Sequence, residues 1–527
     1  MTAAVGSAGP VSAVVAASVP LSVVHLLVDA AQQAPDQCAI EFEGACLTWA
    51  QYAGVVGALA HQLSSRVRPG DRVALVMQNS LDLAVATFAV HALRAQAVPL
   101  NPRFTAQELQ ALLADADPIM VLHDDSVNFD PGLVCPLLPP QAIRATAGGA
   151  GFMALLESIR ELPATLPSHD DLATLQYTGG TTGRSKGVNI LHRHLAWNLA
   201  QREAWLPTRA GAEVVLCVMP LFHVSAVAMS LHLAVAARSK LVIHRRFDPQ
   251  AVIAAIEEQG VTLMSAAPAV FHDLLLQEQL VRLLRSRLRA CYSGAAPLPR
   301  ELLARFEEVT GCPIYEGYGM SEGGPCLTYN PVSRERKPGS VGLPVPASEF
   351  QIVDLATGSR ELAAGEAGEI RVRGPHVMAG YRNLPELTAR TLRDGWLYTG
   401  DVARRDEDGY VFILGRRDDV INVSGFKVYP GEVERALLSH PEVGEAAAFG
   451  VPDERAGRAV HAWVTPAPGT KPDEIMLRRH CEKLLAGYKV PRRIGIAERL
   501  PRTSVGKLAR NELAAVPNKS NEGGQGR

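Results

Sequence analysis

The chain has 527 residues, 47% of them apolar and 20% charged, with a formal net charge of −2. That length is too great for one core and suggests about three or four units. The composition is that of a soluble globular enzyme rather than a disordered chain, and a nearly neutral balance gives no argument for nucleic acid or an anionic membrane as partner.

Residues 1–20, MTAAVGSAGPVSAVVAASVP, carry no Lys or Arg before their apolar part. They make a weak secretory signal and read as a flexible tail. No run reaches the ~18 unbroken apolar residues of a membrane span, so no transmembrane segment is predicted. From about Leu21 to Leu172 helical and strand patterns alternate. DRVALVMQNS reads as a buried strand entering a turn, and LDLAVATFAVHALRAQAVPLN as an apolar-faced helix followed by a strand. The pattern recurs at AEVVLCVMPLFHV, KLVIHRRF and VTLMSAAPAV, which predicts α/β layers with ligands at strand ends. After about Arg334 come charged, Gly-punctuated strands, EFQIVDL, GEIRVRG and GYVFILGRR, the signature of a β-rich subdomain. In GEVERALLSHPEV, Val433, Ala436 and Leu437 share a helical face, and strands at EAAAFGVPDE and HAWVTPA follow. The expected fold class is therefore α/β: a large N-terminal domain of α/β layers over 21–417, with its β-rich subdomain at about 335–417, and a small α+β C-terminal domain over 418–515. Residues 516–527 read as a disordered tail. The eight cysteines show neither C-x-x-C pairs nor zinc-like spacing and are expected to be reduced thiols of a cytoplasmic protein.

The stretch Tyr177–Val188, YTGGTTGRSKGV, cannot build a core and makes a poor helix or strand. Its glycines let backbone N–H groups approach an anion, its threonines add hydroxyl donors, and Lys186 adds a mobile charge. The order G-K-[ST] of the Walker A loop is absent, because Lys186 follows Ser185 and precedes Gly187. EGYGMSEGGP, Glu316–Pro325, offers an aromatic ring for a flat base, then a hydroxyl and a carboxylate for phosphate and Mg²⁺. YTGD, Tyr398–Asp401, ends in a carboxylate suited to two ribose hydroxyls. GRRDDVINVSGFKVYPGEVE, Gly415–Glu434, joins the β-rich part to the last module, and PRTSVGKLAR, Pro501–Arg510, sets Lys507 after a glycine.

These five ordered motifs make the chain resemble the adenylate-forming superfamily of acyl- and aryl-CoA synthetases, peptide-synthetase adenylation domains and luciferases, from about residue 30 to 512. The resemblance implies that Thr178, Gly179, Gly180, Thr181, Thr182, Gly183 and Lys186 form the loop over the β- and γ-phosphates. Gly294, Ala295 and Ala296 of SGAAPL, with Glu316, Gly317 and Tyr318, would line the adenine site. Ser321 would bind phosphate, Glu322 would hold Mg²⁺, and Asp401 and Arg416 would grip the ribose. Lys507 would meet the substrate carboxylate and α-phosphate, and His223 would sit between nucleotide and acyl pockets. Asp418 matches the hinge about which a mobile C-terminal domain turns between half-reactions, bringing the loop of Ser424, Gly425 and Phe426 to the CoA. The acyl pocket would draw on His223–Met229, Ala267–Val270 and Gly323–Leu327, with small residues such as Val227, Gly323 and Gly324; no Arg or Lys occurs among them, which disfavours a dicarboxylate.

The implied activity is ATP-dependent ligation of a carboxylic acid to CoA, through an acyl-adenylate with release of pyrophosphate and then AMP. Gly179 resembles the bacterial fatty-acyl-CoA synthetases, whereas SGAAPL and GYGMSEGGP resemble aryl-CoA ligases. A medium- or long-chain fatty acid is the leading expectation and an aryl acid the alternative; an acyl-AMP ligase loading a carrier protein is a further one. Expected partners are therefore the small acid, ATP and CoA, and a homodimer is left open. Blander readings are a core histidine for His223, a helix-start carboxylate for Glu322 and plain turn residues for Asp418 and Asp419.

Overall fold

The computed structural model describes residues 10–126, 143–144, 151–178, 185–424, 426–453, 455–502 and 508–515. Four sheets organise them. The first runs, in spatial order, Leu343–Pro344, Cys326–Tyr329, Ile314–Gly319, Ala290–Ser293, Leu263–Ala266, Val214–Cys217, Lys240–Ile243, Cys38–Phe42, Ala45–Thr48. Its centre is parallel and its two margins are antiparallel. The second sheet runs Gly380–Tyr381, Lys186–Leu191, Leu172–Thr178, Gln96–Pro99, Arg72–Val76, Met120–His123, Ile143–Arg144.

One apolar core holds both sheets together. It takes Ile40 and Leu241 from the first, Leu75 and Ala97 from the second, and Trp49, Tyr52 and Phe88 from the helices Trp49–Leu63 and Leu81–Ala92. The second of these helices is buried all round, which is why its sequence is apolar on every face. Side chains set the helix starts: Thr48 and Gln51, and Thr105 and Glu108, form capping boxes.

The third sheet contains Glu349–Val353, Gly368–Arg373, Trp396–Arg405, Leu392–Arg393 and Val411–Arg416. The fourth contains Phe426–Val428, Ile421–Val423, Gly457–Pro466, Val443–Asp453 and Arg493–Ile496, over a separate core that includes Val433, Ala436 and Leu437. Those three residues do share the buried face of the helix Pro430–Leu438. The helix is fastened to the third sheet, where Arg435 Nη1 donates to Ile413 O at 2.9 Å.

Three expectations change. The N-terminal stretch is not a tail throughout: Pro10–Ala17 is a helix with Val15 buried, and Ser12 Oγ accepts from Ala347 N at 3.1 Å. Small apolar residues resemble a tail in sequence, but here they find a surface to cover. Cys38 and Cys46 are not free thiols; they form a disulfide, because adjacent antiparallel strands bring their Cα atoms to 6.3 Å. Cys217, Cys291, Cys312, Cys326 and Cys481 are free and buried. Finally, the ends of YTGGTTGRSKGV are strand, with Tyr177 opposite Gly187 and Thr178 opposite Lys186. The 516–527 tail lies outside the described residues. No helix among the described residues is long and apolar enough to cross a membrane.

Candidate active site

The hairpin of Leu172–Thr178 and Lys186–Leu191 presents Thr178 and Lys186 as partners at its open end. Gly179, Gly180, Thr181, Thr182 and Gly183, which join them in sequence, lie outside the described residues, as do Gly425 and Lys507. Lys186 Nζ stands 5.7 Å from the ring centroid of Tyr381. The Tyr381 hydroxyl donates to Glu322 Oε1 at 2.8 Å, and burial and then Glu322 raise its pKa. Tyr381 therefore ties the cation of one motif to the carboxylate of another, 136 residues away along the chain from Lys186. Sequence reading missed it, since a lone Tyr in AGYRN has no motif to distinguish it.

Ser321 and Glu322 are buried in the short turn Ser321–Gly323 that follows the strand Ile314–Gly319. The turn is held by Met378 N donating to Glu322 O at 2.9 Å. Its glycines are set by close approach: a Cβ on Gly323 would lie 2.6 Å from Leu327 Cδ2, and one on Gly324 2.6 Å from His376 O. A buried carboxylate beside a hydroxyl suits a hard cation that takes most of its remaining ligands from phosphate and water, so this donor set fits Mg²⁺.

Tyr318 leaves the same strand and donates through Oη to Asp401 Oδ2 at 2.6 Å. Arg416, paired with Asp401 across two strands, donates to Oδ1 at 2.9 Å. Burial opposes the charge on Arg416, but Asp401 and then Tyr318 outweigh it and raise its pKa. The aromatic, carboxylate and guanidinium of three motifs thus form one cluster.

Gly294, Ala295 and Ala296 follow the neighbouring strand Ala290–Ser293, with Ala295 at φ 68°. The backbone around Gly294 faces Gly317, whose carbonyl oxygen would be 3.7 Å from a Cβ at 294. Gly317 itself has no room for a side chain, since a Cβ would meet the Tyr329 ring at 2.4 Å. The side chain of Glu316 does something sequence reading did not anticipate. It is buried and accepts from Leu298 N at 3.1 Å, pinning the SGAAPL loop to the strand. Burial pushes its pKa up to about 7.

His223 caps the turn Val224–Ala226 and shares a hydrogen bond of 2.8 Å with Ser225 Oγ. Two further residues that the sequence did not single out fix this turn. Gln176 Nε2 donates to Phe222 O at 3.1 Å, while Asn79 donates to Met219 O and His244 O and accepts from Leu221 N at 2.7 Å. Val227 lines a small cavity beyond the turn, and Gly324 lines a second, adjoining one. The Ala267–Val270 segment lines neither.

Asp418 is exposed in the turn Arg417–Asp419, between the third and fourth sheets. Beside it, Arg510 reaches Asp419 at 3.3 Å and Glu434 at 2.6 Å. Ser424 has φ 50°, and the exposed Phe426 ring stacks on Tyr488 at 4.7 Å.

Layered sheets with phosphate-, ribose- and metal-suited groups meeting at strand ends define an adenylate-forming enzyme. The chain matches the family described as AMP-binding enzyme over residues 27–382 and the AMP-binding enzyme C-terminal domain over 432–507. It is 35% identical to a long-chain-fatty-acid–CoA ligase of Bacillus subtilis (strain 168), over 93% of both chains. It is 36% identical to a feruloyl-CoA synthase of Amycolatopsis sp, over 92% of this chain and 96% of the relative. The crystal structure of ATP-bound MatB from Rhodopseudomonas palustris superposes with a TM-score of 0.85 at 31% identity, covering 93% of this chain and 98% of that one. The chain belongs to the AMP-binding enzyme family, among its AMP-forming acid–thiol ligases.

Proposed function

We propose that the protein joins an apolar carboxylic acid, foremost a medium- or long-chain fatty acid, to CoA. The acid's carboxylate attacks the α-phosphorus of ATP and the bond to the β-phosphate oxygen breaks, giving an acyl-adenylate and pyrophosphate. The CoA thiolate then attacks the acyl carbonyl, the bond to AMP breaks, and the thioester and AMP leave. The first attack gathers negative charge on phosphoryl oxygens, so catalysis is chiefly positioning and charge stabilisation. Lys186 and the loop from Thr178 would hold the β- and γ-phosphates, with Ser321 beside them. Tyr318, on a backbone opened by Gly317 and Gly294, would offer the face for adenine, and Asp401, steadied by Arg416, would take the ribose hydroxyls. Glu322 would hold Mg²⁺, which when bound offsets charge on the phosphate oxygens. Lys507 would reach the α-phosphate in the first half-reaction and withdraw in the second, by a turn of residues 418–515 about Asp418, after which the loop at Ser424 and Phe426 would meet CoA.

The observation that carries this reading is convergence. Through Tyr381, Lys186 meets Glu322, and Tyr318, Asp401 and Arg416 meet one another, which supports a common site for motifs scattered through the sequence. The long-chain-fatty-acid–CoA ligase relative supports a fatty acid, and the feruloyl-CoA synthase relative keeps an aryl acid as the second reading. A pyrophosphate-release screen with ATP, Mg²⁺ and CoA over fatty, aryl and short acids tests it. Fatty acids should give AMP and thioester in equal amounts. Tyr381→Phe, which removes a hydrogen bond to a carboxylate worth about 1.5–3 kcal/mol, should lower kcat/KM for ATP by roughly ten- to a hundredfold. A broad panel yielding no AMP would refute the ligase reading.

A further inference from the structure

Beneath the turn that carries His223 lie two small cavities, of about 20 and about 10 Å³. They share Leu195, Ala228 and His232 as walls. The first opens beside Gln176, Val224 and Val227, and the second ends on Arg202, Asn198 and Cys326. Each has room for about one water molecule. Both are bounded by the π-helical segment Val227–His232. Such segments are rare and occur frequently at functional sites. An acid can enter only if this segment or its side chains move.

The far wall is unusual. The Arg202 side chain is 1% exposed. Nη1 donates to Leu206 O at 2.6 Å and to Glu203, and the guanidinium lies 4.8 Å from the Tyr292 ring centroid. Among the described residues Nε and Nη2 make no hydrogen bond of good geometry, the Tyr292 hydroxyl being the one oxygen that otherwise interacts with the guanidinium, and Nε2 of the buried His232 has no partner. Asn198, on the same wall, is satisfied by both backbone groups of Cys326. Buried donors without acceptors are costly, and native interiors rarely leave two on one side chain. Burial works against the charge on Arg202, but Tyr292 and then Glu203 outweigh it, so the guanidinium stays protonated and cannot relieve its donors by losing a proton. Burial also pushes His232 down to about 3, leaving a neutral imidazole.

We propose that Arg202 and His232 form the distal seat of the acyl pocket and receive a neutral oxygen, a hydroxyl, ketone or phenol, carried by the substrate at the end remote from the carboxyl being activated. This rests on the ligase reading above and narrows its substrate class. Sequence reading placed no Arg near the pocket, because Arg202 comes from the helix His192–Trp205, outside the pocket segments it named. A neutral oxygen fits better than a second carboxylate. Glu203 already balances the charge of Arg202, and another anion would be buried in excess. A plain methyl end would leave the same donors unpaired.

Calorimetry reads the pocket without turnover. Wild-type protein, saturated with a non-hydrolysable ATP analogue and Mg²⁺, is titrated with length-matched acids ending in methyl, hydroxyl, ketone or carboxylate, and with a phenyl and hydroxyphenyl pair. In the pair that fits, the hydroxyl or keto member should bind at least about tenfold more tightly than its unoxygenated counterpart, because a site built to hydrogen-bond an oxygen rejects the analogue lacking it. The carboxylate-ended acid should gain nothing. Arg202→Met should bring the ratio to about one, and Arg202→Lys should leave it intermediate. A general loss of affinity does not imitate a change in ratio, and if Arg202→Met does not fold, the wild-type series and Arg202→Lys decide. Equal binding of oxygenated and plain acids by wild type, no binding of any oxygenated acid, or an unchanged ratio in the variant would overturn the proposal. Preference in binding without AMP formation would keep the seat and remove the ligase reading; AMP formation without preference would do the reverse.

Discussion

Glu316 illustrates how a single side chain within a candidate site motif serves the fold. Its carboxyl is buried, holds Leu298 N, and leaves Oε2 without a partner among the described residues. Burial raises its pKa from 4.5 to about 7, against the smaller opposing effects of the Leu298 amide and Arg435. A group raised in the folded state binds its proton more tightly there than in the unfolded chain. Its contribution is therefore fully present below about pH 4.5 and is lost as pH rises through about 7, by a total of about 3 kcal/mol. Glu316→Gln keeps the acceptor for Leu298 N but cannot ionise. Thermal melts of wild type and variant from pH 5 to pH 9 should diverge in favour of the variant as pH rises; parallel curves would mean that Glu316 is already ionised in the fold. The residue was legible in the sequence only as part of EGYG. That its side chain fastens a loop 18 residues earlier depends on strand pairing, which no local pattern records.

At the scale of elements, the strand Ile314–Gly319 and the turn after it do most of the positioning. The strand carries Glu316, Gly317 and Tyr318, and the turn carries Ser321 and Glu322. Its glycines read in the sequence as openings for a ligand. At Gly319 the demand comes instead from the protein, where a Cβ would sit 1.6 Å from Pro325 O. Backbone cannot yield as a flexible side chain can, so Gly319→Ala should cost about 1–3 kcal/mol or more. A lowered urea midpoint, together with weakened ATP binding, would show it; an unchanged midpoint would mean that the turn relaxes freely. The strands themselves were mostly legible. Alternating or continuous β-branched runs marked Arg72–Val76, Gly368–Arg373 and Val411–Arg416, and the helical face of Val433, Ala436 and Leu437 was correct. The helix Pro10–Ala17 and the Cys38–Cys46 pair were not, because a short run of small apolar residues and two cysteines eight apart acquire meaning only from what lies next to them.

Across the whole molecule, the proposed alternation between half-reactions turns on how the fourth sheet meets the other three. Arg435 joins its first helix to Ile413, while Asp418 lies in the turn between the sheets. Phe426 leaves its ring exposed and stacked on Tyr488. If that loop meets CoA, Phe426→Ala should raise KM for CoA by about tenfold, the upper worth of one aromatic contact, and should leave acid-dependent pyrophosphate exchange intact. Equal losses in both half-reactions would place the ring elsewhere. The sequence by itself determined the class of chemistry and the layered α/β plan. Both are written in short-range signals, in the glycine and hydroxyl runs, the order of the motifs and the periodicity of apolar residues. Only the tertiary structure decided which distant side chains complete one another: Tyr381 between Lys186 and Glu322, Asn79 beneath the turn of His223, and Arg202 at the end of the cavities. Burial and pairing over hundreds of residues are set by the packing of sheets against helices, and a linear pattern does not encode which surfaces will face each other.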